Sequence, residues 1–276
     1  MARPVITFLT GFGLDGAAAI CRGVMLGIAP DAQIIDIAHG VGKYAIRDGA
    51  YLLRTALPWM PVGVHVGVVD PGVGTARRPI AIQVRRGDIL VGPDNGLLVP
   101  AALRLGGIAE VRELDNPAWA PAERSATFHG RDLFAPVAAK LATGADFQEV
   151  GPTLDPDGLV RLAWPEPVVA PGELATTVVY TDSFGNLRLA GARSDLETAL
   201  GALSRGAILR LSASVDGGPE VSHHEARWAT TFGEVPRGGL LAYIDSSGDL
   251  AIAVAEGSAA RALGLGTGAS IRIERG

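Results

Sequence analysis

The chain has 276 residues, 48% of them hydrophobic and 19% charged, with a net charge of -5. That balance supports a sizeable core and excludes a disordered chain. With no Lys/Arg run it also argues against nucleic acid as a partner. The single cysteine, Cys21, excludes a disulfide framework or a cysteine-built zinc site and fits a reducing, cytoplasmic setting.

Met1-Ala2-Arg3-Pro4 lacks a long apolar region and a small-residue cleavage site, so no signal peptide is expected. No run of about 18 apolar residues occurs, so no membrane span is expected. Residues 5–9 predict a first strand. Asp15 is placed to cap a helix over 17–28 that Pro30 ends. A second strand over 33–37 runs out near Asp36 and His39, and a second helix over 46–57 stops at Pro58. Residues 64–69 are short, β-branched and bounded by Gly and Pro, as in a buried strand. This β-α-β-α-β order predicts a mostly parallel, Rossmann-like sheet with right-handed crossovers.

Strands over 80–84 and 89–91 flank Arg86-Gly87-Asp88 and read as a hairpin. Gly92-Pro93-Asp94-Asn95-Gly96 is a Gly-rich turn into a helix over 97–105. Thr127-Phe128-His129-Gly130-Arg131 leads into a helix over 132–141. Prolines then punctuate a linker-like stretch, and short strands follow at 176–180, 207–211, 240–244, 251–254 and 270–273. That pattern predicts a smaller, antiparallel, barrel-like β domain. The expected division is an α/β domain over 1–165 and a β domain over 171–276.

Chemistry concentrates at Asp70-Pro71-Gly72-Val73-Gly74-Thr75-Ala76-Arg77-Arg78. Ligands of open α/β sheets bind beyond the carboxyl ends of strands. Asp70 stands at such an end, and Arg77 and Arg78 are within reach of it. The same residues also fit an ordinary turn whose Asp caps a backbone amide. A second motif, Gly11-Phe12-Gly13-Leu14-Asp15-Gly16, spells G-x-G-x-x-G after a strand, with Asp36 about 20 residues on, as a dinucleotide site requires. Against it, the second half of the chain reads as all-β, and 37 glycines make a chance match easy. His223-His224 fit a solvated pair on opposite sides of a strand better than a metal site, and no metal is expected.

Five segments, in order, carry a resemblance: Leu9-Thr10-Gly11-Phe12-Gly13, residues 70–78, Gly92-Pro93-Asp94-Asn95-Gly96-Leu97-Leu98, Thr127-Phe128-His129-Gly130-Arg131-Asp132 and Asp182-Ser183-Phe184-Gly185-Asn186. The chain resembles the S-adenosyl-L-methionine (SAM) hydroxide adenosyltransferases, the adenosine-forming SAM hydrolases related to the fluorinase and chlorinase. The resemblance implies a homotrimer with sites between subunits. It also implies hydrolysis of SAM to adenosine and L-methionine with no cofactor, SAM being the substrate. The hydrolytic members' Asp-Arg-His set falls on Asp70, Arg77 and His129. Halogenating members differ at the Asp and His positions, which implies water rather than halide as the nucleophile.

Those residue types suit that reaction. The sulfonium departs as a neutral thioether, so what water lacks is nucleophilicity and alignment behind C5′. Asp70 or His129 can accept its proton. Arg77 is always charged and can hold Asp70 ionised or tune the nucleophile. Alignment supplies much of the rest. By the same resemblance Tyr44 lies near the methionine portion, where it could meet the sulfonium by cation–π attraction. Asp182, Phe184 and Asn186 contact the amino-acid portion and adenine, and Ser246 the methionine carboxylate. Gly11, Phe12, Asp15, Asp94, Asn95 and Phe128 complete the expected binding set.

The chain departs from the family pattern at Gly11, where Thr-Asp-Phe-Gly is usual and the Asp binds the ribose hydroxyls. The lost hydrogen bonds to a charged acceptor are worth roughly 1.5–3 kcal/mol each. SAM would then bind weakly, or Asp15 or a water would substitute, or the chain is a variant altered to hold a ligand. Ala255 stands where relatives often have Asn. Two alternatives stay open: a non-catalytic SAM or adenosine sensor, and an NAD(P)-dependent oxidoreductase using the Gly11 to Gly16 turn.

Overall fold

A computed structural model describes residues 3–121, 123–214 and 222–276. The chain divides into two compact units, one ending at Leu162 and the other starting at Ala163.

The first unit opens with β1 (Val5–Thr10), α1 (Ala17–Ile28), β2 (Gln33–Ala38), α2 (Ile46–Ala56) and β3 (Val64–Val68). It continues with β4 (Pro79–Val84), β5 (Ile89–Pro93), α3 (Val99–Arg104), β6 (Ile108–Glu113) and α4 (Ala135–Ala142). The six strands are ordered β2-β1-β3-β5-β4-β6. β1 pairs parallel with β2 and β3, and β3 pairs parallel with β5, while β4 is antiparallel to β5 and β6. The parallel portion follows from helical crossovers and the antiparallel edge from the hairpin at Gly87. Ile6, Phe8, Val64, Val66 and Val68 pack with Cys21 and Met25 of α1 and with Val137 and Ala138 of α4. On the other face, Gly49 of α2 and Gly67 of β3 come against Leu97 near α3. Side chains of both signs of the pleat are thus buried, as strands in a helix-covered sheet require.

Three local differences from the sequence expectation have physical causes. Asp15 does not cap α1: Gly16 is the N-cap, with no side-chain hydrogen bond. The helix expected over 97–105 is shortened because Asn95 first turns the chain, accepting from the Leu97 amide at 3.2 Å. The helix expected over 132–141 begins as a π-helical turn, Gly130–Phe134, in which the Ala135 amide donates to the Gly130 carbonyl. β6 was not anticipated; its Ile-Ala-Glu-Val-Arg-Glu sequence is mixed because it is an edge strand.

The second unit contains β7 (Val168–Ala170), β8 (Glu173–Thr181), β9 (Leu187–Ala192), α5 (Arg193–Leu200), β10 (Ile208–Ser214), β11 (Ser222–Trp228), β12 (Leu240–Ile244), β13 (Asp249–Val254), α6 (Ala259–Leu263) and β14 (Ser270–Arg275). The order β14-β10-β11-β12-β13-β9-β8, closed by a β14–β8 pairing, makes a seven-stranded barrel with β7 beside β8. All pairings but one are antiparallel; β11 and β12 run parallel over a short stretch. Leu174, Val178, Leu187, Leu189, Leu209, Leu211, Ile252, Ile271 and Ile273 fill the interior. β9 and α5 went unread in the sequence because the Ala-Gly-Ala ending of β9 carries no alternation and α5 is only two turns long. Among the described residues no helix is long and apolar enough to cross a membrane.

Candidate active site

A cavity of about 200 Å³ opens beyond the carboxyl ends of β1 and β3, lined by the Gly11–Phe12, Gly42–Tyr44, Val68–Val73 and Thr127–Gly130 segments. The site is built from turns. After β3, the Val73 amide bonds the Asp70 carbonyl at 3.3 Å and the Thr75 amide bonds that of Gly72 at 3.1 Å. Thr75 Oγ1 donates to the Gly72 carbonyl at 2.7 Å and accepts from the Arg77 amide at 3.3 Å. Gly74 has φ +77°, and a Cβ there would stand 2.6 Å from the Ala126 carbonyl oxygen, so only glycine fits between the two loops.

This folded turn returns Arg77 onto Asp70. Arg77 Nε donates to Asp70 Oδ1 at 2.9 Å and to Oδ2 at 3.1 Å, and Nη2 also donates to Oδ2. Their side chains are 9% and 5% exposed. Arg77 Nη2 lies 3.1 Å from His129 Nδ1, and the guanidinium stacks over Phe134, 5.2 Å from the ring centroid. Guanidinium only donates, so His129 accepts at Nδ1, and the neutral imidazole carries its proton on Nε2. Burial and, after it, the Arg77 cation push His129 below its ordinary pKa, with Asp70 opposing. The neutral form that this hydrogen bond needs is therefore also the form the surroundings favour.

Around this trio, Phe12 and Phe128 meet edge to face at 5.8 Å. Arg131 grips Asp132 at 2.6 and 2.8 Å and lies over Phe128, and Asp132 accepts from the Ser125 amide at 2.8 Å. Tyr44 is 76% exposed and adopts φ +66°, uncommon for a bulky residue. An inverse γ-turn at Ala45 follows it, the Ile46 amide bonding the Tyr44 carbonyl at 2.9 Å.

The structure brings together Gly11, Phe12, Tyr44, Asp70, Phe128 and His129 on the cavity wall, with Arg77 behind Asp70. It places Asp15 elsewhere, exposed and off the wall. Asp94 is buried in a clamp, accepting from Arg78 at 2.6 and 3.0 Å and from the Val160 amide at 2.9 Å. Asn95 Nδ2 donates to the Val69 carbonyl at 2.8 Å, which fixes the wall from behind. His39 is a strut, bonding Thr10 Oγ1 at 2.9 Å and standing 3.0 Å from Asp36. Lys43, Val73 and Thr127 line the cavity without having been named as site residues; Val73 and Thr127 lie inside the motifs that carry Asp70 and His129, whereas the Lys43 loop has no motif and only the fold brings it to the wall.

In the second unit Asp182 organises its own turn. Its oxygens accept from the amides of Phe184 and Asn186, from Asn186 Nδ2 and from Arg188 Nη2, all between 2.9 and 3.1 Å. Those four donors fill a carboxylate's acceptor capacity. Arg188 also reaches Tyr243 Oη at 3.1 Å and Asp245 at 2.8 Å. The turn presents Phe184, 77% exposed, and Ser246 is exposed too. His223 and His224 lie on β11, with His223 Nδ1 3.0 Å from Ser212 Oγ. Among the described residues no three metal-ligating side chains gather.

Asp70, Arg77 and His129 meet at a pocket at the end of an α/β sheet, in a chain whose second half is a closed β-barrel, an arrangement that suits an enzyme acting on a small molecule. The chain belongs to the SAM hydroxide adenosyltransferase family: the family's N-terminal domain model matches residues 6–151 and its C-terminal domain model residues 176–272. It is 46% identical to a (R)-S-adenosyl-L-methionine hydrolase of Salinispora arenicola, covering 100% of this chain and 99% of the relative. The enzyme of that name from Thermus thermophilus is 40% identical, over 98% and 99%. A Nocardia brasiliensis fluorinase is 30% identical, over 99% and 98%. A crystal structure of an uncharacterized conserved protein from Thermotoga maritima superposes with TM-score 0.90 at 34% identity, covering 98% and 100%. This removes the oxidoreductase alternative, and Asp36, which that alternative needed for a ribose, is instead 2.5 Å from Arg22 and 3.0 Å from His39.

Proposed function

We propose that the protein hydrolyses S-adenosyl-L-methionine, water attacking C5′ of the ribose to give adenosine and L-methionine. The oxygen–C5′ bond forms as the C5′–sulfur bond breaks, sulfur keeps the electron pair as a neutral thioether, and the proton of water leaves to a base. The observation that carries this is the Arg77 fork joining Asp70 to His129 at the cavity wall, in a chain of this family. With Nδ1 of His129 taken by Arg77, its Nε2–H donates, so it orients the water oxygen. Asp70 is then the acceptor of the proton, and Arg77 holds both partners in place. The relatives' names specify the (R) sulfur centre, and the same preference is proposed here. Phe184 and Ser246 stay available to ligand by their exposure, whereas Asp182 acts through the turn it holds. A cytoplasmic homotrimer completes the proposal, checked by light scattering.

Purified protein is incubated separately with the (R) and (S) epimers, and adenosine and methionine are followed by chromatography. Equal amounts of both products, formed faster from (R) and abolished by Asp70→Asn, are expected. Ligand binding without products would instead indicate a sensor. Wild-type rates in Asp70→Asn, Arg77→Lys and His129→Ala would overturn the assigned roles.

A further inference from the structure

The turn that carries Asp70 and Arg77 contains Gly72 and Gly74, residues that lose the most backbone freedom when they are fixed. Both ends of this turn are held from outside, by two adjacent residues of the loop after β5. β5 lies beside β3 and runs parallel to it, with Val66 opposite Val91, so the loops that follow the two strands meet. At the near end, Asn95 Nδ2 donates at 2.8 Å to the carbonyl of Val69, the residue before Asp70. Asn95 Oδ1 accepts from the Leu97 amide at 3.2 Å, which settles which side of the group faces Val69.

At the far end, Asp94 takes hold of Arg78, the residue after Arg77, in two ways. Its amide donates to the Arg78 carbonyl at 2.9 Å, and its Oδ2 accepts from the Arg78 guanidinium at 2.6 and 3.0 Å. Its Oδ1 accepts from the Val160 amide at 2.9 Å, and the side chain is 2% exposed. Neither Asp94 nor Asn95 lines the cavity. Each residue type suits its task. A carboxylate accepts on both oxygens, so Asp94 serves Arg78 and Val160 together; an amide accepts on one side and donates on the other, so Asn95 serves Leu97 and Val69.

We infer that Asp94 and Asn95 are positioning residues, which staple the two ends of the Asp70–Arg77 turn and so set the fork of Arg77 on Asp70 and His129. The inference rests on the proposed hydrolysis, in which a shift of about 1 Å among the reacting groups costs about 10²-fold in rate. Two nearly isosteric exchanges each remove one hold. Asp94→Asn leaves a single acceptor for two donors, and Asn95→Asp turns an acceptor toward the Val69 carbonyl. A contact to bound substrate would be lost in KM, whereas loss of position is read in kcat.

The test is steady-state cleavage of SAM by both variants, with Asp88→Asn as a control that breaks a buried carboxylate–arginine pair off the cavity wall. Each staple variant is expected to lose about 10²-fold in kcat with KM within about threefold, and the control to keep kcat within about threefold. Wild-type kcat in both variants, or a raised KM at unchanged kcat, overturns the inference. Partial unfolding is separated in an Arg77→Lys background, where a residue acting through Arg77 has little left to lose. Asn95→Asp is expected to cost less than about threefold there, and a loss as large as in the wild-type background overturns the inference. A second readout, NMR titration of His129, needs no turnover. Burial and then Arg77 hold the His129 pKa low and Arg124 adds to them, while Asp70 and Asp132 oppose. In Asp94→Asn, or in Arg78→Lys should that variant not fold, Arg77 is released from the imidazole and the midpoint is expected to rise; an unmoved midpoint overturns the inference. A raised midpoint in a protein whose wild type does not cleave SAM would sink the hydrolysis and leave the staple standing.

Discussion

Replacing Arg77 separates what its charge does from what its shape does. Arg77→Lys keeps the cation but not the planar fork, so one ammonium cannot serve both Asp70 oxygens and His129 Nδ1. Losing a preorganised donor of this kind lowers kcat/KM by about 10²–10³-fold. Arg77→Met removes the charge as well and leaves a carboxylate only 5% exposed without its partner. Breaking such a pair from one side costs about 3–5 kcal/mol of stability, or about 6–20 °C in Tm at this chain length. The pH dependence adds a third readout. His129 must be neutral to accept at Nδ1, so the rate falls as pH drops through its pKa. In the wild type that acid limb lies below the ordinary His value of about 6.5, because burial and Arg77 both disfavour imidazolium. Arg77→Met removes the second cause and leaves Asp70 to favour protonation, so the limb moves to higher pH; in Arg77→Lys it stays lower than in the Met variant. The assay is kcat/KM from pH 5 to 9 with melting curves for all three proteins. A near-wild-type rate with an unmoved acid limb in Arg77→Met would refute the reasoning.

Three further outcomes are expected. Gly130→Ala puts a Cβ 2.7 Å from Phe12 Cζ, so Phe12, which lines the cavity, must move; overpacking costs about 1–3 kcal/mol, and KM should rise while circular dichroism stays native. Asp88 is fully buried with His65, which lies 2.9 Å away, and Arg86 also grips it. Burial alone would raise its pKa, but the His65 and Arg86 hydrogen bonds hold the carboxyl well below the usual range. Its stabilisation is thus complete above the unfolded carboxylate value near 3.9 and lost only in stronger acid. Asp88→Asn should lower stability at pH 7 by about 3–5 kcal/mol, measured by urea unfolding, with little change in KM. Burial pushes the Cys21 thiol up to about 12, so a disulfide reagent at pH 8 should react with it only at the rate of unfolding.

Most of the first unit was legible because its signals are local. Helix α1 and the hairpin at Gly87 sit where periodicity and turn chemistry put them. Asp70, Arg77 and His129 could be named together only through spaced motifs, since Arg77 reaches His129 across 52 positions and nothing local announces that contact. Asp15 does not act as a cap because α1 starts one residue later, with Gly16 at the N-cap position and its carbonyl taking the Ile20 amide at 3.0 Å. Asp94 and Asn95 joined the expected binding set through the resemblance their segment carries; the structure shows them also holding the fold, Asp94 in the loop clamp with Arg78 and Val160 and Asn95 on the Val69 carbonyl. Parallel pairing of β11 with β12 had no local signal at all.

The π-helical turn after His129 has a consequence for how this chain tolerates change in length. A wide turn of that kind amounts to one residue more than an α-helix would use, and such turns recur at functional positions. Deleting a single residue between Gly130 and Phe134 would let the segment close to regular α-helix with the chain on either side still in phase, so the approach of His129 to Arg77 would survive the change in length. Inserting one more residue finds no such slack: it would turn the chain ahead of α4 by ~100° about the helix axis and carry the imidazole away from Arg77. The wide turn is thus a slack of one residue between a docked helix and the histidine ahead of it, and the chain should bear a loss there better than a gain.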